Sequence, residues 1–105
     1  MLLDTSGLLC LHHASEREHA VAVAYFDADT TKITHAYVIA EFIALSQARG
    51  FPRAETLAFV ADLEDSSEVT VVYVSEALHK RALQLLQSRL DKNWSLCDAV
   101  SFVIM

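Results

Sequence analysis

Val69-Thr70-Val71-Val72-Tyr73-Val74 is a run of β-branched and aromatic residues set between two long helical stretches, and few folds can house such a strand. Before it lies a solvated loop, Glu64-Asp65-Ser66-Ser67-Glu68. After it, Ser75-Glu76 caps a helix along which Leu78, Ala82, Leu85, Leu86 and Leu90 recur at helical spacing. Two shorter segments read as companion strands. Met1-Leu2-Leu3 is apolar and ends at Asp4, and Ile33-Thr34-His35-Ala36 is short and alternating. Helical spans separate all three, in the order β-α-α-β-α-α-β-α-α. That order predicts an α/β domain with a mostly parallel sheet.

The helices are delimited by their own caps. Thr5 or Ser6 is available to cap the first, which Leu8, Leu9 and Leu11 continue and His12-His13-Ala14-Ser15 closes. Ser15-Glu16-Arg17-Glu18 is a capping box opening a helix to about Phe26, with an apolar stripe of Ala20, Val23, Ala24 and Tyr25. Asp27 to Lys32 reads as polar loop. Tyr37-Val38 leads into a helix through Gln47, which Gly50 stops. Pro52 suits the first turn of the next helix, to roughly Leu63. Asp91-Lys92-Asn93-Trp94 breaks the late helix. Ser95, with Asp98 three residues on, is a capping box that opens the last one.

The chain's 105 residues suit a single domain, 1–105, and a hydrophobic content of 53% supplies a core. The net charge of −6 argues against general attraction to nucleic acid, so any such contact must be local and helped by a metal. Cys10 and Cys97 show no CxxC spacing and read as small core side chains in a reducing cytoplasm. No apolar run reaches the roughly 20 residues a membrane span needs.

In open parallel sheets the working crevice lies beyond the carboxyl ends of the strands. Asp4 stands at such an end. Glu41 lies early in the helix after the second strand, and Asp98 in the first turn of the last helix. Three acids meeting in one cleft would hold a hard divalent cation. The plainer reading is three unrelated acids, with Asp98 doing no more than satisfying a backbone N–H and the helix dipole.

Three segments carry a family likeness. Asp4-Thr5-Ser6 directly after an apolar strand resembles the opening of PIN-domain proteins, as does Ala40-Glu41-Phe42 in the second βα unit. The stretch Asp91-Lys92-Asn93-Trp94-Ser95-Leu96-Cys97-Asp98-Ala99-Val100-Ser101-Phe102 is similar to the late signature of the VapC-like branch, the toxin half of bacterial toxin–antitoxin pairs. The resemblance runs through nearly the whole chain. It implies a PIN-like three-layer sandwich with a mostly parallel sheet, and a cytoplasmic Mg²⁺- or Mn²⁺-dependent endoribonuclease that hydrolyses RNA phosphodiester bonds and is checked by a protein antitoxin. By this likeness Asp4, Glu41 and Asp98 are catalytic metal ligands, and Asp91 is an accessory acid on the metal. Thr5 or Ser6 would hold a metal-bound water or orient Asp4, where the plainer role is capping.

The sequence departs from the family in one respect. PIN domains continue past this helix into a fourth strand and a further acid, whereas the sequence stops at Val103-Ile104-Met105. The reading therefore expects a fold missing its last strand or strands, an open edge at the Met1–Asp4 strand, and a homo-oligomer that covers it. It also keeps an alternative, a non-catalytic PIN-like fragment or interaction module lacking the full metal site. An unrelated phosphoryl-accepting acid pocket is disfavoured because no lysine follows a strand end.

Other residues have ordinary readings. His12 and His13 are adjacent on a helix and diverge, which argues against a shared ion. His35 and His79 read as core-edge or surface groups, and Trp94 as a hydrophobic staple rather than a base-stacking ring. Lys80, Arg81 and Arg89, and Arg49 with Arg53, read as solvated helix faces that could also meet RNA phosphates.

Overall fold

The computed structural model of the protein describes residues 1–13, 18–28 and 31–105. Among these described residues six helices and two strands follow one another: α1 (Thr5–His12), α2 (His19–Ala28), β1 (Lys32–His35), α3 (Ala36–Ala48), α4 (Arg53–Asp65), β2 (Val69–Val72), α5 (Glu76–Ser88) and α6 (Leu96–Ile104). β1 is the middle of the pairing. It runs parallel to β2 in the register Lys32↔Val69 through His35↔Val72, and parallel to the N-terminal segment through a Leu2↔Ile33 bridge. The expected α/β architecture with parallel strands is present. The first strand is reduced to that bridge, held by Leu3 N–H to the Ile33 carbonyl (2.7 Å) and Ile33 N–H to the Met1 carbonyl (2.9 Å). The buried Thr34 hydroxyl adds a bond to the Leu3 carbonyl at 2.9 Å.

Two apolar clusters flank the sheet. One gathers Leu3, Leu8, Leu9, Val38, Ile39, Phe42, Val60, Leu63 and Val69 beneath α1, α3 and α4. The other joins Ala82 of α5 to Ala99 and Val100 of α6, with Tyr37, Val74, Leu78 and Leu86 against them. Helices on both faces keep the parallel strands out of water. Phe42 is fully buried, and its ring meets Phe59 at 5.4 Å and His12 at 6.0 Å.

Several element ends differ from the sequence reading, each for a local reason. α1 is capped by Asp4, not by Thr5 or Ser6: the Asp4 side chain accepts the Gly7 N–H, and Asp is at least as good a cap as either hydroxyl residue. α2 runs two residues beyond Phe26 into the expected loop and has no buried residue; of its expected apolar stripe only Val23 is partly buried, while Ala20, Ala24 and Tyr25 are exposed. The expected capping box at Ser15-Glu16-Arg17 lies outside the described residues. Pro52 is the N-cap of α4 rather than part of its first turn. β2 stops at Val72, two residues short; Tyr73 is exposed and donates to Glu64 Oε2 at 2.6 Å. α5 ends at Ser88, so Leu90, expected on its apolar stripe, is 87% exposed.

Other ends follow the sequence. Gly50 has φ of 76°, a left-handed conformation that favours glycine. The Gly50 N–H reaches the Gln47 carbonyl and the Phe51 N–H the Ser46 carbonyl, both at 3.0 Å; together they close α3 in a Schellman motif. Ser95 and Asp98 form the full capping box of α6. No described helix is long and apolar enough to cross a membrane.

Candidate functional site

A cleft of about 110 Å³ opens at the carboxyl end of the sheet, lined by Asp4, Thr5, Ser6, Val38, Glu41, Cys97, Asp98 and Ser101. Its walls come from three places in the chain. Asp4 follows the N-terminal strand segment, Glu41 lies on α3 directly after β1, and Asp98 lies in the first turn of α6. All three carboxylates are exposed, whereas Val38, Thr5 and Ser101 are buried behind them.

Two of the acids are held by the helices they begin. Asp4 Oδ1 accepts the Gly7 N–H at 2.7 Å. A Cβ at Gly7 would stand 3.1 Å from the same oxygen, so a side chain there would displace the carboxylate by a few tenths of an ångström. Asp98 Oδ2 accepts the Ser95 N–H and Ser95 Oγ accepts the Asp98 N–H, both at 3.0 Å. Each cap engages one carboxylate oxygen and leaves the other outside the capping bond. The amino ends of α1 and α6 both face the cleft, so their partial positive charge offsets some of the repulsion among the acids.

The donor set suits a hard divalent cation: three carboxylates with the hydroxyls of Thr5 and Ser6 beside them. Among the described residues no three His, Cys, Asp or Glu side chains close on a common point at metal-holding distance. The three acids line one cleft without closing on a common point. Asp91 is not among the lining residues. It lies in the exposed turn after α5, where Arg89 Nε reaches its Oδ1 at 3.2 Å, and this bond holds its carboxyl below the usual carboxylate range.

Cys97, read from the sequence as a core side chain, is half-buried in the cleft wall. Burial, then the charge and hydrogen bond of Glu41 and the charges of Asp98 and Asp4, push its thiol up to about 12. Ser101 and Val38 also escaped notice as lining residues. Ser101 was findable, because it lies three residues after Asp98 and shares its helix face. Val38 likewise precedes Glu41 by three.

Behind the cleft lies His35, expected at a core edge or surface and in fact fully buried. It caps α3, its Nδ1 accepting the Val38 N–H at 3.4 Å, and its Nε2 is 2.8 Å from Ser101 Oγ. Burial pushes its pKa down, against smaller opposing effects of the Cys97 carbonyl and the Glu41 charge. His79 pairs its Nδ1 with the Tyr37 hydroxyl at 2.6 Å. His12 packs on Phe59 and His13 stacks on Phe51, and the two rings, expected to diverge, meet edge to face at 4.3 Å. Trp94 meets Phe102 edge-on at 4.8 Å, one turn beyond a staple's usual partner. Lys80 pairs with Glu76 at 2.9 Å along α5.

The molecule is thus a parallel α/β domain whose strand-end cleft is walled by acids from three distant segments. The sequence model of the PIN domain family matches residues 1–102, and the chain belongs to that family. Among solved structures, the crystal structure of Mycobacterium tuberculosis VapC20, described as a sarcin-ricin loop cleaving toxin, superposes with a TM-score of 0.87 at 25% sequence identity. The match covers 99% of this chain and 79% of that one. No curated protein sequence gives a significant match.

Proposed function

We propose that this protein is a divalent-metal-dependent endoribonuclease of the toxin type, acting on RNA phosphodiester bonds through Asp4, Glu41 and Asp98. The observation that carries the reading is the meeting of those three acids, separated by most of the chain, around one small cleft. Family membership and the likeness to a toxin that cleaves the sarcin-ricin loop support it.

The three carboxylates would hold the cation, Mg²⁺ or Mn²⁺, while Thr5 and Ser6 orient Asp4 and the water around it. When bound, such an ion polarises the scissile phosphate and makes an attacking water more acidic. The chain's own part is positional. Capping bonds fix Asp4 and Asp98, buried Val38 and Ser101 form the floor, and helix amino ends favour an approaching phosphate. With a net charge of −6, RNA is attracted only where the cation offsets the acids. Asp91, tied to Arg89 outside the cleft, serves at most as an accessory acid toward RNA-bound metal.

The proposed partners follow from surface chemistry. Val21 and Tyr25, one helical turn apart on α2, are 50% and 67% exposed, an apolar strip suited to a protein antitoxin. An apolar groove of Met1, Leu2, Ile33, Ile104 and Met105 beside the N-terminal bridge supports self-association. The thiols of Cys10 and Cys97 suit a reducing cytoplasm.

The test is RNA cleavage with Mg²⁺ or Mn²⁺ by the parent, Asp4→Asn and Asp98→Asn. Metal-stimulated cleavage by the parent and its loss in both variants is the expected result. Equal, metal-independent cleavage by all three would sink the assignment, leaving a non-catalytic PIN-like interaction module. Sedimentation of the parent as a compact monomer would remove the homo-oligomer.

A further inference from the structure

We propose that His35 and Ser101 are positioning residues: their buried hydrogen bond is a strut that sets the separation of Glu41 on α3 from Asp98 on α6. This rests on the nuclease reading above and extends it to a buried histidine behind the cleft and the serine of the cleft floor that it meets.

The bond pattern has one consistent direction. His35 Nδ1 accepts the Val38 N–H at 3.4 Å, so the ring's proton sits on Nε2. That N–H donates to Ser101 Oγ at 2.8 Å, and the Ser101 hydroxyl donates to the Cys97 carbonyl at 3.1 Å. The chain of bonds begins at Val38, three residues before Glu41, and ends at Cys97, next to Asp98. Both terminal residues line the cleft.

Geometry makes this link stiff. His35 is fully buried and Ser101 is 7% exposed, so water cannot replace the bond cheaply. His35 ends β1 and caps α3 at once, so its ring has no freedom to follow α6 if that helix shifts. Ser101 lies one turn after Asp98 on α6. Burial also keeps the ring neutral, the state in which Nδ1 accepts and Nε2 donates. Carboxylates that repel one another need such a mechanical constraint, because their own interaction pushes them apart.

The alternative is that the bond only satisfies buried polar groups and stabilises the fold. Three variants of the full chain separate the two roles. Ser101→Ala removes the acceptor with little change of volume. His35→Asn retains a cap for α3 but does not reach Ser101. The third combines both. Mn²⁺ binding by calorimetry without RNA is the primary readout, with kcat and KM for RNA cleavage beside it.

The expected result is an Mn²⁺ dissociation constant raised about tenfold in each single variant and no further in the double variant, since both remove one contact. kcat at limiting metal falls, excess Mn²⁺ restores it, and KM for RNA stays at the parent's value. Parent-like Mn²⁺ binding in the single variants, with only a lower melting temperature, would overturn the strut. Multiplying effects in the double variant, or a raised RNA KM with unchanged metal binding, would overturn it as well. A parent that binds Mn²⁺ but cuts no RNA overturns the nuclease reading alone, and the strut is then judged on binding. A parent that binds no Mn²⁺ overturns both.

Discussion

Gly7 shows how closely the proposed site depends on single atoms. A methyl group there would meet Asp4 Oδ1 at 3.1 Å, so the carboxylate must move by a few tenths of an ångström. Alanine is otherwise the better helix residue, by about 1 kcal/mol. Gly7→Ala is therefore expected to melt no lower than the parent while binding Mn²⁺ several-fold more weakly. Parent-like affinity would mean that Asp4 is not a ligand or not tightly placed. Cys97 offers a second probe of the same cleft. Its thiol is pushed up to about 12, by burial first and then by Glu41, Asp98 and Asp4, and only the thiolate is nucleophilic. Alkylation of Cys97 by iodoacetamide at pH 8 should run about 100-fold or more slower than that of free cysteine. Mass spectrometry of the modified peptide reads this directly, and a rate near that of the free thiol would contradict the buried, acid-flanked placement.

Helix ends matter to stability and to the cleft in different measure. Ser95 caps α6 and engages Asp98 reciprocally, whereas Gly50 ends α3 in a left-handed conformation far from the acids. Ser95→Ala and Gly50→Ala should each cost about 1 kcal/mol, lowering the melting temperature by roughly 4–8 °C. Their effects on function should diverge. Ser95→Ala removes the Oγ that accepts the Asp98 N–H, loosens the first turn that carries the Asp98 carboxylate, and is expected to lower metal-dependent cleavage several-fold. Gly50→Ala meets nothing within 4 Å and leaves cleavage per folded molecule unchanged. Equal loss of cleavage in both would show that α6 is not specially coupled to the reaction. The stop of α3 and the caps of α5 and α6 were legible because each is a contact within a few residues. The short N-terminal strand and the early end of β2 were not, because strand length depends on what a neighbour across the sheet can pair with.

At the scale of the whole molecule, two imidazoles, fully buried His35 and half-buried His12, make stability respond to acid. Burial pushes both His35 and His12 below the ordinary histidine value, opposed by the Cys97 carbonyl and Glu41 at His35 and by Glu55 at His12. The unfolded chain therefore binds more protons than the native one as pH falls below about 6.5. Stability from these groups is complete above that pH and is lost as pH falls toward the depressed native values. The melting temperature should decline between pH 7 and pH 5, and His35→Asn should flatten that decline. An unchanged slope in the variant would show that His35 titrates freely in the native state.

Local chemistry, read along the chain, was enough for the α/β class, the order of the helices, the Ser95–Asp98 cap, the Gly50 stop and the three acids as candidates. The first four rest on propensity, periodicity or hydrogen bonds that reach no further than a helical turn, and the acids on their places at strand and helix ends together with the likeness to PIN-domain segments. Folding added what depends on distance in space. It brought Asp4, Glu41 and Asp98 to one cleft, left Asp91 outside it with Arg89, set Cys97 against the core and in the cleft wall at once, and buried His35 against Ser101, 66 residues away. No pattern of spacing along the chain encodes such a pair, because it exists only once parallel strands have set α3 and α6 side by side.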